Sequence, residues 1–240
     1  MKKKLCIIIP AYNEARTVQK ILIRINSVRY NFPIETEIIV VDDASTDDTV
    51  DEIETFRLKF PDVNLVVLCQ LENSGKGAAI RRGVEYCRGD YIVIQDADLE
   101  YDPREYNDLL KPLEEGVADV VYGSRFIGRN PHRILFFWHS IGNKFLTLIS
   151  NAFTNLNLSD MESCYKMFRA DVIKGVKLRE NRFGFEPEVT AKIARIPGIR
   201  IYEVGISYYG RTYDEGKKIN WRDGVKAIFC ILKYNIWSLK

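Results

Sequence analysis

Residues 89–103, GDYIVIQDADLEYDP, place a short apolar run between a glycine turn and a group of carboxylates. The run is rich in β-branched and aromatic residues, which is typical of a buried strand in a parallel sheet. Asp96, Asp98 and Glu100 are then expected where this strand leaves the sheet, the place at which open α/β sheets bind ligands. Converging carboxylates repel one another unless a cation separates them, and oxygen ligands suit Mg²⁺ or Mn²⁺. The stretch predicts a metal site, with solvated charges in a polar turn as the alternative.

Apolar runs and helical periods alternate along the chain around this stretch. Strands are predicted at 4–9, 37–41, 63–68, 91–94, 117–122 and 199–206, and a strand running the other way at 161–168. Helices are predicted at 14–28, 47–60, 75–87, 105–113, 185–195 and 221–237, while 134–153 is an aromatic and aliphatic segment interrupted by polar residues. Such alternation predicts an α/β fold with a mostly parallel sheet flanked by helices. No linker or repeat interrupts the sequence, so we expect one domain over 1–240, with a nucleotide-binding half (1–123) and an acceptor and membrane-facing half (124–240).

Composition excludes several classes of protein. A net charge of +2 over 240 residues argues against binding nucleic acid through bulk positive charge. The five cysteines include no CxxC pair, so a zinc or disulfide framework is not expected, and buried free thiols in a reducing compartment are. The apolar run after the basic start is too short for a signal peptide. No window reaches the roughly 18 apolar residues of a membrane span.

A second group of polar side chains is predicted at the same sheet edge. Asp42 and Asp43 follow the second predicted strand, and the first strand ends in PAYNE (10–14). Tyr12 offers a ring to stack on a base, while Glu14 and Asp43 offer acceptors for base N–H groups or ribose hydroxyls. A helix start with acidic residues is the alternative for residues 42–49, and it explains the strand-end pair less well.

The glycines around Lys76 match neither common nucleotide fingerprint. Gly75, Gly77 and Gly83 lack the G-x-G-x-x-G spacing, and the P-loop pattern is absent. A tight loop that lets a helix N-terminus approach a nucleotide is the interpretation we prefer.

Eight segments in order resemble the family 2 glycosyltransferases of the GT-A fold. They are PAYNE (10–14), VVDDASTDDT (40–49), NSGKGAA (73–79), DYIVIQDADLEYDP (90–103), DVVYGSRF (119–126), DMESCYKMF (160–168), RFGFEPEVTAKIAR (182–195) and IYEVGISYYGRTYDEGKKINWRDGVKA (201–227). The last three resemble the polyprenyl-phosphate branch, typified by dolichol-phosphate mannose synthases and bacterial undecaprenyl-phosphate sugar transferases. The resemblance covers roughly residues 5–234.

The resemblance implies a role for each matching position. Asp43 would contact the base, with Asp42 beside it, and Asp96 and Asp98 would hold the divalent metal, with Glu100 as a further ligand. Arg125 would lie near the phosphates, and Arg211 with Lys217 or Lys218 would close over the diphosphate. The catalytic set is therefore Asp98, Arg125, Arg211 and Lys217, and the predicted nucleotide-binding set is Pro10, Tyr12, Glu14, Asp42, Asp43, Lys76, Asp96 and Ala97.

The resemblance has departures that bear on the acceptor. Relatives with a D-x-T-S-G-F-R motif have glycine and arginine where this chain has Cys164 and Lys166. A polyprenyl phosphate is already an anion at neutral pH and needs no general base, whereas a saccharide hydroxyl needs a carboxylate. Glu162, Glu186 and Glu188 are the candidates for that base.

Residues 120–159 contain no carboxylate but carry basic residues at Arg125, Arg129, Arg133 and Lys144. Their aromatic residues predict an interfacial helix in the lipid headgroup region, and the last helix predicts the same, with packing on the sheet as the alternative for both. The aromatic residues are Phe126, Phe136, Phe137, Trp138, Phe145 and Phe153 in the first segment, and Trp221, Phe229, Tyr234 and Trp237 in the last helix.

The sequence as a whole predicts an inverting, metal-dependent hexosyltransferase. The expected donor is GDP-mannose or UDP-glucose, the acceptor a polyprenyl phosphate, and the location the cytoplasmic membrane face, with a membrane-protein partner or a second copy of the chain as further expectations. The alternatives are a family 2 transferase with a saccharide acceptor, and a sugar-phosphate nucleotidyltransferase. The latter normally carries a glycine-rich signature after its first strand, where this chain has PAYNE.

Overall fold

The computed structural model describes residues 2–128, 133–134, 136–211 and 221–237. Their strands form one seven-stranded sheet in the order β3-β2-β1-β4-β6-β5-β7. The strands are β1 (Lys3–Ala11), β2 (Ile34–Asp42), β3 (Leu65–Cys69), β4 (Tyr91–Ile94), β5 (Val120–Ser124), β6 (Lys166–Arg169) and β7 (Ile201–Gly205). β6 runs antiparallel to both neighbours, β4 and β5, and the other neighbouring pairs are parallel. The predicted α/β fold and its one reversed strand are confirmed.

Helices cover both faces of the sheet. They are α1 (Val18–Asn26), α2 (Thr49–Lys59), α3 (Lys76–Tyr86), α4 (Tyr106–Glu114), α5 (Phe137–Thr154), α6 (Ala170–Gly175), α7 (Phe185–Ile193) and α8 (Trp221–Leu232), with a 3₁₀ turn at Pro103–Glu105 and a π-helical turn at Lys233–Trp237. One apolar core joins the sheet to α1, α2 and α4, and a second joins it to α3 and α5–α8.

The two cores explain why the strands are continuously apolar. Along β1, Ile7 and Ile9 point into the first core, while Cys6 and Ile8 point into the second. Successive side chains of a strand face opposite sides, so a strand covered on both faces needs apolar residues at every position. The division of the chain into halves at residue 123 stays a prediction.

Two cysteines that were expected to be free are paired. Cys6 on β1 and Cys87 directly after α3 form a disulfide, with their Cα atoms 6.1 Å apart. The expectation of free thiols is wrong for this pair, whose separation of 81 residues gives no short-range signal. Of the other three, Cys230 is buried as expected, but Cys69 is exposed and Cys164 is partly exposed.

Candidate active site

The polar residues predicted to gather at one sheet edge do so. β1 lies between β2 and β4, with Ala11 opposite Asp42 and Ile8 opposite Ile94. Because these strands are parallel, their carboxyl ends share one edge, which is where open α/β sheets bind ligands. Asp96 follows β4 at the edge where Asp42 ends β2.

Arg211 contacts two of the three carboxylates in the 89–103 stretch. Its Nη2 lies 2.7 Å from Asp98 Oδ2, and its Nε lies 3.2 Å from Glu100 Oε1. The Arg211 backbone N–H also donates to Glu100 Oε1 at 2.9 Å, and the Tyr208 hydroxyl donates to Glu100 Oε2 at 2.7 Å. The structure thus brings a predicted catalytic arginine onto the predicted metal-binding carboxylates.

The surroundings of Asp98 disfavour its charged form. Burial, together with the negative charges of Asp96 and Glu100, raises the pKa of Asp98 to about 7, against the lowering effect of Arg211. The carboxylates at this edge are therefore short of compensating positive charge, which is the condition that favours a bound cation.

Lys76 supplies the second cation at the edge. Its Nζ lies 2.7 Å from Asp96 Oδ1 and 3.7 Å from Glu186 Oε1, and it donates to Cys164 Sγ at 2.8 Å. Burial acts to lower the pKa of Lys76, but the negative charges around it, first that of Asp96, raise it well above its ordinary value. Lys76 is therefore a fixed positive charge beside the predicted metal site.

The donor chemistry of the edge fits a divalent metal ion. Carboxylate oxygens are the ligands that Mg²⁺ and Mn²⁺ prefer. Within the part of the chain that the structure describes, no three His, Cys, Asp and Glu side chains are arranged around one ion position. Lys76 and Arg211 instead hold Asp96 and Asp98. The assignment of Asp96, Asp98 and Glu100 as ligands stays a prediction.

The two aspartates after β2 have different surroundings. Asp43 accepts hydrogen bonds from the backbone N–H groups of Ser74 at 2.8 Å and Gly75 at 2.7 Å, and from the side chains of Asn73 and Gln70. Asp42 accepts one from Ser45 N, while its buried Oδ1 has no hydrogen-bond partner among the described residues. Asp43 fastens the loop before α3 to β2, and Asp42 retains the open acceptor. The base contact predicted for Asp43 stays a prediction.

The other predicted nucleotide-binding residues lie around the same edge. Pro10 lies on β1 opposite Val41, one residue before the strand ends. Ala97, which separates Asp96 from Asp98 in the sequence, is buried, whereas Tyr12 is exposed. Glu14 accepts a hydrogen bond from Thr17 Oγ1 at 2.8 Å, and its charge is near enough to raise the pKa of Arg211.

The glycines at the start of α3 make room for another part of the chain. Gly75 has φ +101°, and a Cβ there would lie 2.5 Å from the carbonyl oxygen of Asn181. A Cβ on Gly77 would overlap the carbonyl oxygen of Glu180. Asn181 O accepts a hydrogen bond from Ala78 N at 3.1 Å. The loop at 180–182 therefore packs against this helix start, and our interpretation of the helix start as an approach to a nucleotide stays a prediction.

Arg125 is held by a residue that sequence reasoning missed. Asp160 accepts from Arg125 Nε and Nη2, both at 2.7 Å, and from its backbone N at 3.1 Å. The guanidinium lies over the Tyr208 ring, 5.2 Å from its centroid. Asp160 fixes the orientation of the predicted phosphate-binding arginine. Asp160 is the first residue of the DMESCYKMF motif. Because 35 residues separate it from Arg125, the pairing of the two could not be predicted from the sequence.

The three candidate bases differ in how many of their carboxylate oxygens are already bound by the protein. Glu188 is fully buried and accepts from the backbone N–H groups of Arg179 and Glu180 at 2.7 Å, and its side chain pairs with Lys192. Glu186 is also buried, beside Lys76. Glu162 has a buried Oε1 without a partner among the described residues. Glu188 is a structural residue, whereas Glu186 lies at the site through its contact with Lys76.

The two departures from the relatives' motif also face this region. Cys164 donates to Glu186 Oε1 at 3.2 Å, and burial raises the pKa of its thiol. Lys166 is fully buried and donates to the carbonyl oxygens of Met161 and Ser163. Burial lowers the pKa of Lys166. Two backbone carbonyl oxygens of the preceding segment therefore hold Lys166 in place.

Three predicted residues cannot be placed. Lys217, Lys218 and Arg129 lie outside the described residues, as does the side chain of Trp221.

Apolar side chains are exposed along α5 and α8. In α5, Trp138 is 79% exposed, and in the turn after α8, Trp237 is 61% exposed. Tyr234, which we grouped with this surface, is fully buried instead. None of the described helices combines the length and hydropathy that a bilayer crossing requires. Further exposed residues of the predicted interfacial set are Phe136, Phe137, Phe145, Phe153 and Phe229.

A pocket of about 610 Å³ lies away from the carboxylate edge. It is formed by α6, the end of α7 and Tyr234, and none of the predicted site residues lines it. Its size alone does not make it the donor site, because the grouped carboxylates lie elsewhere.

Comparison with protein families gives a match over most of the chain. Residues 6–176 match the family model described as Glycosyl transferase family 2. The undecaprenyl-phosphate mannosyltransferase of Micrococcus luteus is 33% identical in an alignment of 222 positions that takes in 88% of this chain and 85% of that protein. The dodecaprenyl-phosphate galacturonate synthase of Rhizobium johnstonii is 28% identical over 214 residues. This match takes in 89% of this chain but only 61% of the Rhizobium protein.

Solved structures agree with the fold. The glucosyl-3-phosphoglycerate synthase of Mycobacterium tuberculosis, crystallised with Mn²⁺, UDP and glucosyl-3-phosphoglycerate, superposes with a TM-score of 0.73 at 18% identity. The superposition takes in 97% of this chain and 80% of that one. This likeness confirms the predicted GT-A fold and, at this identity, the fold alone.

Proposed function

The chain belongs to glycosyl transferase family 2, and we propose that it transfers a hexose from a nucleotide-sugar to a polyprenyl phosphate, with inversion and with Mg²⁺ or Mn²⁺. Relatives named for undecaprenyl-phosphate and dodecaprenyl-phosphate support the acceptor class. The Mn²⁺ and UDP bound to a structural neighbour support the metal and the nucleotide. A nucleotidyltransferase finds no support in the family match.

The observation that carries the proposal is the meeting of the carboxylate edge with an exposed apolar helix. Arg133 N donates to Tyr208 O, and Arg133 Nη1 donates to Gly210 O, both at 2.8 Å. Tyr208 in turn binds Glu100. α5 begins only four residues after Arg133, at Phe137. A lipid whose phosphate reaches the edge would therefore have an apolar surface beside it.

The chemistry requires charge stabilisation more than proton transfer. Cleavage of a sugar–diphosphate bond develops negative charge on the departing nucleoside diphosphate. A bound divalent cation would neutralise part of that charge, with Asp96 and Asp98 as its ligands. Arg211 and Lys76 add fixed positive charge at the same edge. The acceptor phosphate is anionic at neutral pH, so its attack needs no general base, and displacement in one step inverts the anomeric carbon.

Arg125 is the residue we assign to the acceptor phosphate. Its side chain is only 9% exposed and is fixed by Asp160, so it can meet an anion without first losing rotational freedom. The Arg125 guanidinium lies over the ring of Tyr208, whose hydroxyl donates to Glu100. Arg125 therefore positions the acceptor phosphate, while Arg211 binds the donor diphosphate.

The membrane surface is the proposed location. Exposed aromatic residues on α5, within the carboxylate-free segment 120–159, and on α8 favour an interface rich in anionic headgroups. We place the protein on the cytoplasmic face, where nucleotide-sugars are made. A membrane-protein partner or a second copy of the chain stays a prediction.

A donor panel tests the function directly. The protein is incubated with radiolabelled GDP-mannose, UDP-glucose, UDP-galactose or UDP-GlcNAc, with Mn²⁺ and undecaprenyl phosphate. Label in the organic phase with one donor is the expected result, and the product anomer by NMR should be inverted. Donor hydrolysis without lipid product would instead favour a saccharide acceptor, with Glu186 as the base beside Lys76.

The matched variants are Asp98→Ala and Asp62→Ala. Asp98 lies in the carboxylate group, whereas Asp62 is exposed in the turn before β3. Asp98→Ala should abolish turnover and keep the melting temperature, and Asp62→Ala should change neither. Retained activity of Asp98→Ala at saturating Mn²⁺ would contradict the metal assignment.

A further inference from the structure

The pocket beside α6 and α7 is lined mainly by basic side chains. Its volume of about 610 Å³ falls within the range of roughly 300–1,000 Å³ that is typical of small-molecule sites. Its charged lining consists of the cations Lys177, Arg179, Lys192 and Arg195 and the carboxylate Asp171. A cleft lined mainly by charges of one sign concentrates ions of the opposite sign. The pocket therefore has the character of an anion site.

The carboxylates nearest to these cations are already bound. Asp171 accepts from Arg169 Nη2 at 2.7 Å and from Arg169 Nε at 3.2 Å. Glu188, which is fully buried, pairs with Lys192. Asp171 thus has a cation from outside the pocket, and the charge of Lys192 is balanced from behind.

The three remaining cations of the lining have no carboxylate partner among the residues that the structure describes. Lys177 and Arg179 are exposed, and their printed hydrogen bonds to described residues are made by backbone atoms. Arg195 is also exposed, and its Nη2 lies 3.5 Å from Asn235 Oδ1, a neutral partner. Three positive charges therefore face one cavity without a protein anion to balance them.

Helix dipoles account for only part of this charge. Lys192 lies in the last turn of α7, and Arg195 follows the end of that helix. Cations at the carboxyl end of a helix are stabilised by its dipole. Arg179 lies in the connection between α6 and α7, four residues after α6 ends, where no helix end explains it.

The wall of the pocket is fixed by contacts within the protein. Tyr234 is fully buried, and its hydroxyl donates to Glu180 Oε1 at 2.6 Å. Lys192 Nζ lies 4.5 Å from the centroid of the Tyr234 ring and donates to Lys177 O at 2.6 Å. A ligand would therefore meet a formed wall, and the binding free energy lost to ordering would come mainly from exposed side chains such as Arg179.

The number and type of the unbalanced cations favour a phosphate group as the ligand. A phosphate monoester carries about −1.5 to −2 charges at pH 7 and three strong acceptor oxygens. A carboxylate carries a single negative charge and balances fewer of the cations. Arginine also binds phosphate through two parallel hydrogen bonds, and two of the three cations are arginines.

We propose that this pocket is an anion-binding site, separate from the carboxylate edge, that binds a phosphate-bearing ligand through Lys177, Arg179 and Arg195. It goes beyond the proposed function, because none of the residues assigned to the sugar transfer lines the pocket. The inference holds whichever acceptor the enzyme uses.

Two sources present this phosphate chemistry. Tyr234 belongs to the turn Lys233–Trp237, in which Ile236 and Trp237 are exposed. This turn is part of the surface that we place at the membrane, so a lipid headgroup is one source. A dissolved phosphorylated compound is the other. Both offer the same group to the pocket, and the experiment separates them.

Pyrophosphate in solution and phosphatidate in vesicles are the two probes. Pyrophosphate is titrated calorimetrically in the presence of EDTA, which prevents metal-assisted binding at the carboxylate edge. Sedimentation measures binding to vesicles of phosphatidylcholine with and without phosphatidate. Lys177→Gln/Arg179→Gln is the pocket variant. Arg211→Gln reports pyrophosphate bound at the carboxylate edge.

The matched control is Lys20→Gln/Arg24→Gln. It removes the same amount of charge from exposed positions of α1, which packs on the opposite face of the sheet from α6 and α7. The pocket variant should weaken binding of at least one probe roughly 10- to 100-fold, the usual effect of losing a hydrogen bond to a charged group. The control should change binding by less than about threefold, because its charges are exposed to salt and solvent.

The two probes identify the source. A loss of pyrophosphate binding in the pocket variant indicates a dissolved ligand. A loss of phosphatidate-dependent sedimentation, with no pyrophosphate binding to the wild type, indicates a lipid headgroup. Melting temperatures show that the variants are folded. If Lys177→Gln/Arg179→Gln does not fold, Arg195→Gln takes its place with the same expectation.

Three results would overturn the assignment. The first is a wild type that binds neither probe. The second is a loss in the pocket variant no larger than that in Lys20→Gln/Arg24→Gln, which would indicate attraction by overall charge alone. The third is pyrophosphate binding that disappears in Arg211→Gln but persists in the pocket variant, with vesicle binding unchanged there.

Discussion

Replacing Asp160 with asparagine isolates the buried ion pair that orients Arg125. The pair makes two hydrogen bonds of 2.7 Å, and its side chains are 9% and 0% exposed. In Asp160→Asn an N–H group of the amide faces the N–H groups of the guanidinium, and a buried charge loses its counterion. Breaking such a pair from one side costs about 3–5 kcal/mol. For a chain of this size that lowers the melting temperature by roughly 6–20 °C.

Asp171→Asn is the matched control. Asp171 also binds an arginine through two oxygens, with Arg169 Nη2 at 2.7 Å and Nε at 3.2 Å. These side chains, however, are 45% and 65% exposed. Exposed pairs contribute about 0–1 kcal/mol, because water screens and replaces them. Differential scanning calorimetry should therefore show a much smaller shift for Asp171→Asn than for Asp160→Asn.

A double variant tests the cause. If the loss comes from an unpaired buried charge, adding Arg125→Met to Asp160→Asn removes that charge and should recover part of the stability. A shift for Asp160→Asn as small as that for Asp171→Asn would refute the reasoning. So would a double variant that is no more stable than Asp160→Asn alone.

Three further outcomes are expected. Gly77→Ala should lower the melting temperature because its Cβ meets backbone of the loop at 180–182, whereas Gly142→Ala, with open space at the same atom, should raise stability by about 0.5–1 kcal/mol. The pKa of Asp119 is lowered, chiefly by its hydrogen bond from Arg200. Ionised Asp119 therefore adds to the free energy of unfolding above about pH 4, and this contribution is lost as the pH falls further. Below that pH, the free energy of unfolding of Asp119→Asn should fall less steeply with pH than that of the wild type. Trp138→Ser should weaken sedimentation with anionic vesicles, and Leu58→Ser, at an equally exposed residue on α2, should not.

The strands could be predicted because burial on both faces leaves no polar position in them. Their ends could not be predicted as well. β2 begins at Ile34 rather than at residue 37, because Ile34, Glu35 and Thr36 pair with the first residues of β1. Backbone hydrogen bonding to β1 sets the start of β2, and the hydropathy of the sequence does not show which backbone groups pair. α6 was missed for a related reason, since six residues span less than two helical turns and show no period.

The predicted site residues were recognised by their position after strands, which sequence displays. Their partners were not. Lys76 reaches Asp96, Arg125 reaches Asp160 and Arg211 reaches Glu100 across separations that only the folded chain closes. The two glycines near Lys76 illustrate the same limit. Their small size was visible, but only the structure shows that a loop of the chain fills the space they leave.

The charges at the sheet edge explain how a site for a diphosphate can exist before the diphosphate arrives. Asp96, Asp98 and Glu100 contribute up to three negative charges, and Lys76 and Arg211 contribute two positive ones. Burial and the neighbouring negative charges raise the pKa of Asp98, so the anionic form of this carboxyl is disfavoured in the free edge. On the proposed function, Asp96 and Asp98 would hold a divalent cation, and Arg211 would exchange Asp98 for the donor diphosphate. Each carboxylate then keeps a counterion, and the arginine that stabilises the free edge becomes the one that stabilises the leaving group.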